Sequence, residues 1–337
     1  MPDFNTIQNV YNPNRKLTHT EILRAIKFSI SAEYEAIQLY QQIMENTNDK
    51  NVIKALAEIT EDEKRRWYWI WALILFALLL LLGGILWRGQ KTHHPKYVIF
   101  GDSIQATARG EDSVADRLQV LCGKEFFNAS FGGTALAKIP RESGSMEPGD
   151  YYSMVSLVNS ACARDFSVQQ QAKMESSPTS YFAPLIEELD QTSFAKTELM
   201  IIAHGMNDYL SGVPLSSDDP MDENTFEGAL RYVLSAWKKH YPHSRILLVS
   251  PTYAWYLFSG KTCEEQDFGG GFLEQYVESE RKIAKEYDVE MIDLYQDLYR
   301  HETWEDWEEF TVDGVHPNEN GRRMIAERIA AYLEENP

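Results

Sequence analysis

A three-layer α/β sandwich built on a five-stranded parallel sheet is the fold class predicted for most of this 337-residue chain. Five short apolar runs, at 97 to 100, 125 to 128, 199 to 203, 246 to 250 and 289 to 293, read as strands buried on both faces. Helical patterns separate them: Ser113 to Leu121, Tyr151 to Ala161, Tyr181 to Leu189, Glu223 to His240, Phe272 to Tyr287 and Asn318 to Leu333. Strand, helix, strand alternation requires right-handed crossovers with helices on both faces of the sheet. Ahead of this core the sequence adds an α-helical hairpin and one transmembrane helix.

The first 16 residues are polar, with Pro2 and Pro13, and read as a loose arm. Thr18-His19-Thr20-Glu21 then forms a capping box that opens a long helix. Its apolar stripe runs Ile22, Ile26, Ser29, Glu33, Ala36, Ile37, Tyr40, Ile43, so a carboxylate sits in line with the buried face. After Asn46-Thr47-Asn48-Asp49 a second helix carries Val52, Leu56, Ile59, Glu63 and Arg66 in line. Two acids on the apolar stripes of a helical hairpin can be iron ligands in a bundle core. The hairpin is similar to the encapsulated ferritin-like proteins, in which two such hairpins pair into one four-helix bundle. That resemblance implies metal-ligand positions at Glu33 and Glu63, iron as their cofactor, and self-association through the hairpin. Arg66 departs from the family, whose Glu-x-x-His would place histidine there; a guanidinium cannot ligate a cation. The alternative is that Glu33 and Glu63 bind nothing and Arg66 neutralises Glu63 at i+3.

Trp67 to Trp87 is a run of 21 residues without a charge, including Leu78 to Leu82. As a helix it would be roughly 31 Å long, about one hydrocarbon core. Trp67, Tyr68, Trp69 and Trp71 at one end and Trp87 at the other suit interfacial belts. Lys64-Arg65-Arg66 just before the span reads as a signal anchor, with the N-terminus cytoplasmic and the following domain outside the membrane. The expected organisation is a ferritin-like hairpin over 1–63, a transmembrane helix with basic flank over 64–88, a linker over 89–96 and the α/β domain over 97–337. The expected localisation is a single-pass membrane protein in the cell membrane.

In the α/β domain the first strand runs Val98-Ile99-Phe100 and stops at Gly101-Asp102-Ser103. A hydroxyl at the carboxyl edge of a parallel sheet can serve as a nucleophile if a base and an oxyanion site converge on it. Of the eight histidines only His316 has an acid three residues before it, in Asp313-Gly314-Val315-His316-Pro317. One short turn then holds carboxylate and imidazole together: Asp313 orients the ring, and His316 takes the serine proton. Two donor segments lie between. Asn128-Ala129-Ser130-Phe131-Gly132-Gly133 follows an apolar run, and its glycines let backbone amides approach a developing oxyanion. Gly205-Met206-Asn207-Asp208 follows another strand and presents a side-chain amide. Asp102, Asp208 and Asp313 also fit helix caps or Asx-turns.

These four segments, in this order, resemble the SGNH (GDSL-like) hydrolase family, whose sandwich is flavodoxin-like. The resemblance implies Ser103 as nucleophile. It also implies an oxyanion hole made by the Ser103 and Gly133 amides and the Asn207 side chain, with Asp313 and His316 completing the triad and no cofactor. Ile104 stands where the name-giving motif has leucine, and Ser130 where many members have glycine. The nucleophile elbow GxSxG is absent, which argues against the α/β-hydrolase fold.

Charge is unevenly spread. Residues 97 to 337 carry 20 Lys and Arg against 41 Asp and Glu, a net −21 out of the whole chain's −19. Such an acidic domain repels phosphate backbones and excludes nucleic acid as a partner class. The partners expected are an acylated small-molecule, lipid or glycan substrate and the lipid bilayer, and the activity expected is a membrane-anchored esterase acting on short-chain, O-acetyl-type esters. Two other readings are a non-catalytic glycan-binding domain on the same fold and an iron-binding protein working through the hairpin. Two long irregular segments, Ala135 to Asp150 and Tyr253 to Gly271, should overhang the Ser103 edge, the second as a lid with a flexible glycine run or as a packed surface loop. Cys162 and Cys263 lie in loops and are able to pair outside a cell, and Cys122 reads as a core thiol. The acidic run Glu302 to Glu309, with Trp304 and Trp307, reads as a surface helix or a carbohydrate platform.

Overall fold

The structure, a computed structural model, describes residues 19–88, 93–139, 148–172 and 179–337. The chain divides into two compact units, 1–89 and 90–337.

In the first unit helices α1 (His19–Glu45) and α2 (Lys50–Arg88) pack on one another. The turn between them ends where the Asp49 carboxylate accepts the Asn51 amide at 2.8 Å, capping α2. Across residues 63 and 64, where the hairpin was expected to give way to the span, α2 runs unbroken, for 39 residues in all. No proline lies in it, and its first glycines are Gly83 and Gly84, so nothing local interrupts helical geometry across Glu63–Trp67. The inner face is also shifted from the expected stripe, since Ile53, Leu56 and Thr60 are the shielded positions while Val52 and Ile59 stay exposed. Among the described residues no helix is long and apolar enough to cross a membrane. Within Trp67–Trp87 only Tyr68, Trp69, Ala72, Leu75 and Phe76 have described side chains, all exposed. The other side chains of that expected span lie outside the described ones, as do those of Glu33, Glu63 and Arg66. Among the described residues no cluster of three or more His, Cys, Asp or Glu could hold a metal ion.

The second unit is the expected sandwich. Strands β1 (Tyr97–Gly101), β2 (Phe126–Asn128), β3 (Leu199–Ala203), β4 (Arg245–Val249) and β7 (Glu290–Ile292) form one parallel sheet in the order β2-β1-β3-β4-β7. The short ribbon β5 (Trp255–Tyr256) and β6 (Lys261–Thr262) is separate. Helices α3 (Ser103–Ala106), α4 (Val114–Cys122), α5 (Met154–Ala163), α6 (Phe182–Asp190), α7 (Met206–Leu210), α8 (Phe226–His240), α9 (Leu273–Tyr287) and α10 (Glu319–Glu335) connect the strands. They pack in two sets, α4 with α10 and α8 with both α5 and α9.

Cap chemistry sets the helix starts: the Ser113, Ser153, Thr225 and Asn318 side chains accept amides three residues on. This is why α5 begins at Met154 and α8 at Phe226, later than apolar periodicity alone suggests. Aromatic rings fill the space between sheet and helices. Trp237 is fully buried, with Phe100, Phe194 and Tyr241 at ring-centroid distances of 6.1, 5.5 and 4.5 Å.

The chain leaves β1 toward β2 on one side and β3 on the other, so the strand order reverses there. Parallel sheets open a crevice at their carboxyl edge where that happens.

Several loop expectations are corrected. The Tyr253–Gly271 segment is packed at its start, where Tyr253 to Tyr256 are buried, and again at Cys263, while residues 257–261 and Glu264, Glu265, Asp267 and Gly269 are exposed. Its glycine run is fastened, with the Gly269 and Gly271 amides donating to the Asp267 carboxylate at 2.6 and 3.0 Å. Of Ala135–Asp150, residues 140–147 lie outside the described residues. Cys162 and Cys263 are free thiols, held apart by different neighbours, the Ala236 carbonyl at 3.8 Å and the Tyr295 hydroxyl at 3.9 Å. Burial pushes them up to about 11 and about 12. Cys122 is free and only partly buried at the end of α4. Trp304 and Trp307 pack against the core, which leaves them little face for a sugar.

Candidate active site

Gly101 ends β1 where a side chain would not fit: a Cβ there would lie 2.6 Å from Gln105 and 3.0 Å from the Ala203 carbonyl. The strand can therefore turn at once into α3. Asp102 caps that helix, accepting the Ile104 amide at 2.9 Å, and Ser103 becomes its first residue. Asp102 is buried, and burial lifts its carboxyl to about 7 against the Ile104 amide and the nearby His316, which pull it down. Ser103 remains half-buried, with its side chain free to meet a partner from solvent.

That partner comes from the turn before α10. The Asp313 carboxylate accepts the Val315 and His316 amides at 3.1 and 2.8 Å through one oxygen, closing an Asx-type turn. Its other oxygen lies 2.7 Å from His316 Nδ1. His316 Nε2 is then 2.9 Å from Ser103 Oγ, a single hydrogen-bonded chain of carboxylate, imidazole and hydroxyl. Burial pushes the Asp313 carboxyl up, but the His316 amide, the His316 ring and the Val315 amide outweigh it and hold the group below the usual carboxylate range. A carboxylate at Nδ1 leaves Nε2 as the acceptor facing the serine.

The turn has an external brace. Gly314 adopts φ +88°, and a Cβ there would lie 2.0 Å from the Trp255 carbonyl oxygen. The Trp255 amide donates to the Gly314 carbonyl at 2.8 Å. The segment expected as a lid thus supports the histidine turn.

The loop after β2 is delivered to Ser103 by an extension of the sheet: the Ala129 amide donates to the Ile99 carbonyl at 2.8 Å and Phe131 to Gly101 at 3.0 Å. Gly132 then backs onto the serine, its Cβ direction pointing 3.6 Å from Ser103 Cβ. Gly133, next in the chain, is exposed with φ +74°. Asn207 follows Gly205, whose φ of +123° sets the corner between β3 and α7. One Asn207 side-chain N–H donates to the Thr134 carbonyl at 3.1 Å, and the Asp208 carboxylate accepts the Leu136 and Ala137 amides at 2.8 and 2.9 Å. Burial raises Asp208 to about 6, opposed by those two amides. Neighbouring residues of one turn thus fasten the loop that carries Gly132 and Gly133.

The structure therefore brings together Ser103, Asp313 and His316, and ties the Gly133 and Asn207 segments to each other around them. Glu33 and Glu63 lie on helices of the other unit. Three residues at the site have no counterpart in the sequence reading. Tyr181 accepts the Gly132 amide through its hydroxyl at 2.7 Å, Arg109 reaches the same loop, and His204 lies buried behind Asp102. Neither ring nitrogen of His204 has a partner among the described residues, and burial lowers its pKa to about 3. Only Arg109 had a sequence signal, as a cation a few positions beyond the serine in a strongly acidic domain.

A hydroxyl, an imidazole and a carboxylate chained at the crevice of a parallel α/β sheet define the broad class, a hydrolase on an α/β sandwich. Residues 97–329 match the GDSL-like lipase/acylhydrolase family. The chain belongs to that family and is a carboxylic-ester hydrolase. Among solved structures it is similar to a protein from Lactobacillus plantarum, at 21% identity and a TM-score of 0.50 over 72% of this chain and 98% of that one. It is also similar to a GDSL-like lipase from Bacteroides thetaiotaomicron, at 15% identity and a TM-score of 0.43 over 72% of this chain and 89% of that one. The first likeness supports the sandwich fold. No match was found among curated proteins.

Proposed function

We propose that the 90–337 unit hydrolyses acyl esters with Ser103 as nucleophile, His316 as general base and then acid, and Asp313 as the group that holds the imidazole. The 2.9 Å approach of His316 Nε2 to Ser103 Oγ carries this reading. In the forward step Ser103 Oγ bonds to the ester carbonyl carbon while its proton passes to Nε2. The carbonyl oxygen becomes an oxyanion, which the Ser103 and Gly133 amides and the second N–H of the Asn207 side chain would receive. Collapse expels the alcohol, which takes the proton from Nε2. Water, deprotonated by the same nitrogen, then releases the acid from the acyl-serine. Short O-acyl esters of glycans or lipids are the substrate class of this reading.

Turnover of 4-nitrophenyl acetate and butyrate tests this. Ser103→Ala and His316→Ala should each lose roughly 10³- to 10⁵-fold in kcat, and Asp313→Asn roughly 10²- to 10⁴-fold. Full activity in either alanine variant would discard the triad.

We further propose that Trp67–Trp87 holds the chain at a lipid bilayer, with the hydrolase unit outside the cytoplasm. The support is the 21-residue uncharged sequence and its aromatic ends. The full chain should float with liposomes while a chain starting at residue 90 stays in the aqueous fraction. Equal partitioning of both would end this proposal.

A further inference from the structure

Arg109 lies six positions beyond Ser103, and its guanidinium is fixed against the wall of the site. Nη1 donates to the Asn128 carbonyl at 3.3 Å, Nη2 donates to the Ser130 carbonyl, and Cζ stands 4.2 Å from the ring centroid of Tyr181. Every one of these partners belongs to the serine's surroundings. Asn128 and Ser130 lead directly into Gly132 and Gly133. The Tyr181 hydroxyl holds the Gly132 amide, at a point where a Cβ on Gly132 would be 3.2 Å from that hydroxyl and 3.6 Å from Ser103 Cβ.

The two carbonyls and the Tyr181 hydroxyl still leave guanidinium N–H groups to spare. The residue is exposed overall, but its guanidinium is partly desolvated against the loop, and burial lowers its pKa against the pull of Tyr181 and the more distant Glu188; among the described residues no carboxylate forms an ion pair with it. If the clamp served only to support the loop, a neutral donor would suffice. A cation held rigid by cation–π contact and two carbonyls, with N–H groups to spare on the loop that flanks the serine, is suited to recognise an anion.

We propose that Arg109, positioned by Tyr181 and the Asn128 and Ser130 carbonyls, selects esters that carry a carboxylate, phosphate or sulfate close to the scissile bond. This rests on the reading of Ser103 as nucleophile. Arg109 acts as a specificity residue: its charge meets the substrate's, and the anion is oriented for attack. Tyr181 is a positioning residue that couples this cation to the Gly132–Gly133 loop. The anion lies on the acyl or the alcohol side of the ester, and two matched pairs separate the cases.

The test compares mono-4-nitrophenyl glutarate with 4-nitrophenyl butyrate, for charge on the acyl side, and 4-acetoxybenzoate with phenyl acetate, for charge on the alcohol side. The full chain is assayed in neutral detergent as parent, Arg109→Gln and Arg109→Lys. In one pair the anionic-to-neutral ratio of kcat/KM should fall roughly tenfold in Arg109→Gln and be largely kept in Arg109→Lys. The parent's ratio should also fall between 0.05 and 1 M salt, because the Debye length shrinks to about 3 Å at the upper end. General repulsion by the acidic domain predicts the opposite slope, so a fall belongs to the local cation. Ratios in both pairs that match between parent and Arg109→Gln overturn the proposal, and should that variant not fold, a parental ratio that holds or rises with salt overturns it instead. Ser103-dependent turnover of the neutral esters with no charge preference removes this inference alone. No turnover of any of the four esters, with no fluorophosphonate labelling of Ser103, removes the hydrolase reading as well.

Discussion

Two carboxyls in neighbouring turns are driven in opposite directions. Asp313 accepts from two amides and an imidazole and is held low, whereas Asp102 accepts one amide in a buried place and is lifted to about 7 from an ordinary 3.8. Asp102 therefore binds its proton more tightly folded than unfolded. Its contribution favours the fold below pH 3.8 and is lost as pH rises toward about 7. Chemical denaturation across this range should show parental stability declining with pH, and Asp102→Asn should flatten that slope; an unchanged slope would place the titration elsewhere. Asp313 works in reverse, adding stability at neutral pH that drains as acid protonates it. The motif residues were legible because Gly-Asp-Ser, Gly-Met-Asn-Asp and Asp-Gly-Val-His each write a local turn into sequence. Tyr181 was not, since its role arises from a contact 49 positions away that leaves no local pattern; Arg109 showed only as a cation near the serine, its contact 21 positions away being equally silent.

At the scale of elements, the sheet was read to within a residue or two because a strand buried on both faces has to be a continuous apolar run. The loops were harder. Tyr253–Gly271 has the composition of a mobile cover, yet Tyr253, Trp255 and Tyr256 are buried and its backbone grips the histidine turn. Apolar content alone does not say whether a loop folds inward or outward. Gly314→Ala should therefore act as an active-site lesion: a Cβ would meet the Trp255 carbonyl at 2.0 Å, and a left-handed φ of +88° adds backbone strain of roughly 1–3 kcal/mol. Ester turnover should drop at least tenfold with far-ultraviolet circular dichroism unchanged; parental turnover would show that the turn is not held by this brace. Trp237→Ala removes the ring on which Phe100, Phe194 and Tyr241 converge, and should cost about 3–5 kcal/mol in a urea titration.

For the whole molecule, composition turns apolar and uncharged at Trp67, while the backbone makes one uninterrupted helix of Lys50–Arg88 and the two compact units divide between residues 89 and 90. Hydropathy reports what surrounds a helix, whereas helix termini answer to caps, glycine and proline, so the two need not coincide. Residues 90–337 contain the entire sheet and every group placed at the serine. A chain starting at 90 should unfold in one cooperative step and turn over butyrate esters within twofold of the full chain; a tenfold deficit would mean that the first unit contributes to the site. The order of the site along the chain matters during synthesis as well. His316 is joined to Ser103 across 213 positions, so a ribosome exposes the serine long before it has made the imidazole that would activate it. On the proposed triad, every translation product that stops short of residue 316 would carry a hydroxyl without its base, and ester cleavage would signal that the domain has been made and closed as far as the histidine turn.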